Sequence, residues 1–406
     1  MALSQSGPAE NGAVRRPERG STFEPFFDLV FVFTVTQLTA AIARDLTLTG
    51  ITRVVVTLAV VWWLHGDFVR LTNAAPPDTP TRRCLPAVGA AGFLVVALAV
   101  PHAFHDLDSA TAFGWGFLVA VGAHTAMYAA SIDELPDERR GFALRRVAAV
   151  DAASAALVVI GAFLGGTAQP ALWGAAAVVR IVAPFVTGGL ELPLRTRPFV
   201  ERYGLVTVFA LGASVIAIGA DAQGLDLDLR LLATAVLTLL LAFALWWAYF
   251  GDGEEERAVA LMSALPARRR TLRGLVVYGG GHYALLLGVL LFAAGVKTAV
   301  DRPTDRLDAA QACTLAGGLA LFLAANAVTR WSFRIHPNGY RVGAVVSLAA
   351  TVPLGMFASA LAEIAAIVAV LTVAGVLEAQ RYPEPEPEPE APPTAPISGR
   401  TRTPAR

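Results

Sequence analysis

Glu24-Pro25-Phe26-Phe27-Asp28-Leu29-Val30-Phe31-Val32-Phe33-Thr34-Val35-Thr36-Gln37-Leu38 is the stretch that decides the fold, and it continues apolar to Ala43. Glu24 and Asp28, four residues apart, fall on one side of a helix. The segment they open is long enough to cross a bilayer, which takes about 20 apolar residues. Four phenylalanines and five β-branched residues in so short a window do not suit a soluble protein. A signal peptide would carry positive charge without the acid and would end at a small-residue cleavage site. The segment therefore reads as a first membrane span, and its acids need partners elsewhere in the chain.

Composition sets the class. With 55% hydrophobic and 16% charged residues over 406 positions, the chain holds more apolar side chain than one globular core could bury. This predicts an all-α polytopic membrane protein. Net charge is zero, so there is no basic excess to attract nucleic acid. The expected partners are the lipid bilayer and an unidentified small-molecule or lipid substrate, with a homo-oligomer left open. Cys84 and Cys313 fall on opposite membrane sides in the topology below, which argues against a disulfide, and two cysteines cannot build a metal framework. No cofactor is expected.

Residues 1–21 are polar, with Arg15, Arg16 and Arg19, and are expected to be disordered. Hydrophobic spans then begin near Phe26, Arg53, Leu85, Ala110, Val147, Ala171, Arg202, Leu229, Gly274, Asp308 and Val342. The last stretch, Val342 to Leu377, is about twice one span and divides near Pro353, Gly355 and Ser359, giving about twelve transmembrane helices. The tail from Arg381, with Pro-Glu repeated from Pro383 to Glu390, is extended and does not fold by itself.

Basic residues test that division. With the N-terminus in the cytoplasm, the tails and even-numbered loops hold 25 of the 32 lysines and arginines, the odd-numbered loops hold 6, and Arg180 lies inside a span. The positive-inside rule demands this asymmetry. It predicts a multi-pass protein of the inner (plasma) membrane with both termini cytoplasmic.

The second half reads as a repeat of the first. Setting Phe27 against Tyr203 pairs Leu29, Val30, Val32 and Phe33 with Leu205, Val206, Val208 and Phe209. The next span of each half carries a tryptophan pair with an acid beyond it, Trp62-Trp63 with Asp67 and Trp246-Trp247 with Asp252. A shift of six spans keeps orientation, so residues 22–200 and 201–380 are expected to be two parallel six-helix halves, an arrangement found in transporters.

At these residues the chain resembles the bacterial low temperature requirement protein A (LtrA) family. The resemblance rests on the opening from Glu24 through Leu38, on Trp62-Trp63, on Glu201-Arg202-Tyr203-Gly204-Leu205, and on the glycine-rich segment Gly279 to Val296. It runs from about residue 20 to 380. Where the family usually reads Leu-Gly-Glu-Ser, this chain has Leu211-Gly212-Ala213-Ser214, so a carboxylate common in relatives is missing. The resemblance implies an integral inner-membrane protein linked by name to growth in the cold, and it supplies no substrate or reaction.

Ionisable groups in hydrocarbon are costly and mark functional sites by default. Arg180 lies near the middle of its span and must be paired, with Asp28, Asp67 and Asp151 as the candidate acids. Its guanidinium serves either to lock helices together or to bind a carboxylate or phosphate. Asp28, one turn into the first span, suits either a helix start or a buried site. Asp67 is a candidate for proton exchange or for pairing with Arg70. His65 and Asp67, two apart on a helix, point to different sides and make no metal pair. Further candidates for a central cavity are Glu24, Trp62, Trp63, His124, Glu201, Arg202 and His282, each with an ordinary packing or interfacial alternative. No Walker loop, nucleophile elbow, zinc spacing or Rossmann glycine pattern is present in a suitable context.

Two functions fit. One is a secondary transporter moving a small solute, with protonation of Asp28 or Asp67 coupled to movement. The other is a membrane-embedded enzyme acting on a lipid or isoprenoid, its carboxylates near the cytoplasmic face. A transporter needs a cavity that opens alternately to both sides; an enzyme for lipids needs a side portal.

Overall fold

The computed structural model describes residues 23–76, 80–132, 136–187, 193–221, 227–251 and 253–381. The expected disordered ends, residues 1–21 and the Pro-Glu tail, lie outside the described residues, as does Asp252. Among the described residues there are helices and no strands.

The first six helices are α1 (Phe23–Arg44), α2 (Leu48–Ala74), α3 (Pro80–Ala99), α4 (Leu107–Ser131), α5 (Asp137–Leu164) and α6 (Ala168–Thr187). Their ends follow capping chemistry. Glu24 in the first turn of α1 and Arg44 in its last turn complement the helix dipole. The Thr47 hydroxyl accepts the Gly50 amide at 3.1 Å to start α2, and Asp106 accepts the amides of Asp108 and Ser109 to start α4. The chain goes on as α7 (Thr196–Asp221), α8 (Leu229–Phe250), the short α9 (Glu254–Ser263) and α10 (Ala267–Arg273), a π-helical stretch Gly274–Gly281, α11 (His282–Asp301), α12 (Ala309–Ser332), α13 (Gly339–Ala349), α14 (Val352–Phe357) and α15 (Ala360–Arg381). Asp228 caps α8, and Asp308 with Gln311 forms a capping box on α12.

Eleven of these helical stretches are long and apolar enough to span a bilayer, and the shorter apolar part of α3, Cys84–Ala99, supplies a twelfth rod between α1 and α4. The chain is a multi-pass membrane protein. The last long apolar stretch breaks where its Pro, Gly and Ser predict: α13 ends at Ala349, Pro353 lies in the first turn of α14, and Ser359 precedes α15. Cys84 and Cys313 are both free and exposed.

Helix packing follows one order twice. In the first set α1 packs on α3, α3 on α4, α4 on α5, α5 on α6, α6 on α2, and α2 back on α1. In the second set α7 packs on α11, α11 on α12, α12 on α13, α13 on α15, α15 on α8, and α8 back on α7. The two sets meet along α1, α2, α7 and α11. Trp62 Nε1 donates to the Gly279 carbonyl at 2.7 Å and the Tyr283 hydroxyl to the Val55 carbonyl at 2.8 Å across that seam.

Close helix crossings rest on glycine pairs, as expected where lipid offers no hydrophobic drive to pack helices. A methyl on Gly92 would come within 2.6 Å of the Gly116 carbonyl, and one on Gly288 within 2.8 Å of the Gly318 carbonyl. The run Gly279-Gly280-Gly281 serves another purpose, since Gly279 and Gly280 face open space and the π-helical turn offers its carbonyl to Trp62. The tryptophan pairs matched in sequence also separate in space. Trp62 is 1% exposed, whereas Trp246 and Trp247 face outward beside Phe243.

Candidate functional site

Asp28, one turn into α1, is held by a guanidinium from the other helix set. Arg202 of α7 reaches its two oxygens through Nε at 2.9 and 3.1 Å and through Nη2 at 2.9 Å, while its Nη1 donates to Thr72 of α2 at 2.7 Å. The planar guanidinium grips both oxygens, a geometry lysine cannot reproduce. His65 Nε2 lies 2.8 Å from the same carboxylate. A carboxylate only accepts, so Nε2 carries a proton, and Nδ1 has no partner. Phe31, Trp62 and Phe27 stack on the imidazole at 4.2, 5.6 and 5.8 Å.

A second ionic group centres on Arg180. Arg180 of α6 is fully buried, with Nη1 2.6 Å from Asp67 Oδ2 of α2 and Nη2 3.2 Å from Asp151 Oδ1 of α5. Asp67 is also bonded by Arg70, and Asp151 accepts from Thr125 at 2.6 Å and meets His124 Nδ1 at 2.9 Å. The guanidinium lies 5.5 Å over the Phe117 ring. Three acids and three arginines thus balance across four helices of the first set and α7. Beside them a cavity of about 50 Å³ is lined by Asp67, Arg70, His124, Asp151, Ala183 and Thr187. That is room for about one or two waters.

Most of the expected residues converge: Asp28, His65, Arg202, Asp67, Arg180, Asp151, His124 and the buried Trp62 are all in or against these clusters. Arg180 takes two of its three predicted acids, Asp67 and Asp151, and leaves Asp28 to Arg202. Glu24 is partly exposed at the start of α1, and Glu201 is exposed, 3.7 Å from Arg197. Trp63 is half-buried against Tyr283 at 5.3 Å, and His282 bonds the Tyr249 hydroxyl through Nε2 at 2.7 Å. Ala213 is half-buried and packs on the core.

Sequence reasoning did not find a third cluster. Arg330 of α12 pairs with Glu254 of α9 and, at 3.1 Å, with Glu378 of α15. Arg341 of α13 pairs with Glu254 at 3.3 Å, with Glu378 at 3.1 Å, and with Asn326. Both arginines read as loop residues in the charge count, because span limits alone do not reveal that loop ends fold inward. At the opposite end of the bundle a cavity of about 330 Å³ is lined by Arg44, Asp45, Arg53, His102 and His105. There the Thr47 hydroxyl, 2.5 Å away, holds the Asp45 carboxyl below its ordinary value.

The family profile described as bacterial low temperature requirement A protein (LtrA) matches residues 19–376. The chain belongs to the LtrA family. It is also 28% identical over 340 residues to an uncharacterized protein of Rhizobium meliloti (strain 1021), covering 79% of each chain. No solved structure matches it. The LtrA match takes in all the residues of the ionic groups on α1, α2, α5, α6 and α7; of the third cluster it leaves out only Glu378.

Proposed function

We propose that this LtrA protein is a secondary transporter. It moves a small solute across the inner (plasma) membrane, draws on protons, keeps both termini in the cytoplasm, and contributes to the low-temperature requirement that the family description names. The observation that carries this is the packing order, followed once by α1–α6 and again by α7–α15. It supports two parallel six-helix halves, residues 22–200 and 201–380. Local correspondences agree with it: Pro101 and Pro303, Asp106 and Asp308, Gly116 and Gly318, and His124 and Asn326 are all 202 positions apart. The offset of 176 at Phe27 and Tyr203 grows to 202 mainly through α9 and α10.

Each half also holds its own buried cluster of ion pairs: Asp67, Asp151 and Arg180 in the first, and Glu254, Arg330, Arg341 and Glu378 in the second. Parallel repeats that rock about a shared seam are a general solution to alternating access, and the Asp28–Arg202 bond lies on that seam.

An untargeted comparison of small metabolites and lipids, inside and outside cells, tests the reading with a deletion strain, the wild type and Asp67→Asn. A solute whose distribution follows the wild type alone supports it. Full restoration by Asp67→Asn excludes proton coupling at that acid.

One observation favours the second reading, an enzyme for a lipid or isoprenoid. A groove of about 630 Å³ between α8, α13 and α15, lined by Phe243, Trp247, Leu371 and Gly375, ends at Arg341 and Glu378. Phe243 and Trp247 are exposed, so it opens sideways. Accumulation of one lipid class in the deletion strain, with every solute gradient unchanged, decides for that reading.

A further inference from the structure

Each acid in the three charge clusters lies against an arginine; Glu363 has no such neighbour. It is in the first turn of α15 and 0% exposed, and neither carboxyl oxygen has a hydrogen-bond partner. An acid at a helix start normally takes the free amides of that turn, but here all four are occupied. The Ala360 and Leu361 amides donate to the Asp305 and Pro303 carbonyls, both at 2.9 Å, the Ala362 amide to Ser359 Oγ at 3.2 Å, and the Glu363 amide to the Ser359 carbonyl at 3.2 Å.

Gly355, within α14, faces the carboxyl so closely that a methyl there would overlap it, and Ala312 of α12 closes on the same glycine. The charged residues of the surrounding elements turn away. Arg302, Asp305, Arg306 and Asp308 in the loop before α12 are exposed, as is Arg230 of α8. Lys297 of α11 has a partner of its own, and Arg330, Arg341, Glu254 and Glu378 are engaged with one another. The helix dipole favours an acid at this position, but by less than it costs to strip water from an ionised carboxylate.

We propose that Glu363 is a proton-binding site, occupied at rest, at the Arg44–Leu48 end of the bundle. It adjoins the broken segment α13–α14–α15, and discontinuous helices are where transporters place their coupling-ion sites. That its proton drives solute movement rests on the transporter reading; that it holds a proton does not.

The test is infrared difference spectroscopy of the full-length protein in lipid nanodiscs, wild type minus Glu363→Gln. A neutral amide replaces a neutral acid of the same shape, so the variant should elute and melt as the wild type does. The expected result is a carbonyl band of a protonated carboxylic acid at neutral pH, lost in the variant. Carboxylate bands in its place overturn the proposal, as does a difference spectrum with no acid band. If the band is present and Glu363→Gln still restores the wild-type solute gradient in cells, the proton site stands and its coupling role fails. If the band is absent, the site falls whatever transport shows.

Discussion

Arg180→Leu should destabilise the protein by about 3 kcal/mol, the lower end of the cost of breaking a buried ion pair from one side. The reasoning starts from Arg180 being 0% exposed between Asp67 and Asp151 at 2.6 and 3.2 Å. Removing it strands two carboxylates away from water. Each keeps some support, Asp67 from Arg70 and Asp151 from His124 and Thr125, which is why the lower end applies. Against a total stability on the order of 5–15 kcal/mol, such a loss should be plain in the melting midpoint of detergent-solubilised protein followed by size exclusion. Adding Asp67→Asn and Asp151→Asn to Arg180→Leu removes the stranded charges and should recover about half of the loss, since neighbours in one network are not additive. Equal stability of Arg180→Leu and wild type would refute the pairing. A triple variant no better than Arg180→Leu would show that packing over Phe117, and not charge, holds the arginine in place.

Arg202→Lys loses the grip on both Asp28 oxygens and the bond to Thr72, and should cost about 1.5–3 kcal/mol in the same assay; an unchanged midpoint would count against the seam being held there. Gly318→Val drives a side chain into the α11 backbone beside the Gly288 carbonyl and should abolish monodisperse protein, as should Gly116→Val against Gly92, while Gly212→Val, which meets nothing within 4 Å, should not. Thr47→Val removes the α2 cap and should cost about 1 kcal/mol. The Asp45 carboxyl is held below its ordinary value by the Thr47 hydroxyl, so this contribution is present above the unfolded value and is lost as pH falls through the folded one. The gap between Thr47→Val and wild type should therefore narrow in acid, and a gap that stays the same across that range would show that Asp45 plays no part.

Much of the bundle is legible in the sequence because a bilayer imposes length and polarity on every span. The division of the final stretch could be read from Pro353, Gly355 and Ser359, which cannot continue a straight helix at low cost. Partners for Arg180 were also legible, since a guanidinium in hydrocarbon has few places to go. The grip of Arg202 on Asp28 was not, because Arg202 begins a span and the same position suits an interface. Arg330, Arg341, Glu254 and Glu378 were hidden for the same reason: residues beside a span are as readily solvated as folded inward, and only packing decides. The glycine run at Gly279–Gly281 signals a close approach in membranes by type alone, whereas the actual crossing sets Gly288 of α11 against Gly318 of α12. Glu363 gave no signal beyond an acid near a span start, where water normally explains it.

Alternating access to the cavity beside Asp67, Asp151 and Arg180 is the claim on which the transporter reading turns. The measurement is made in a background with Cys84→Ser and Cys313→Ser, carrying Ala183→Cys in the cavity wall, reconstituted in one orientation in sealed vesicles. A membrane-impermeant thiol reagent added from either side should label that cysteine, with each side's rate rising when the other's falls. Labelling from one side only, whatever the pH gradient, would contradict the account.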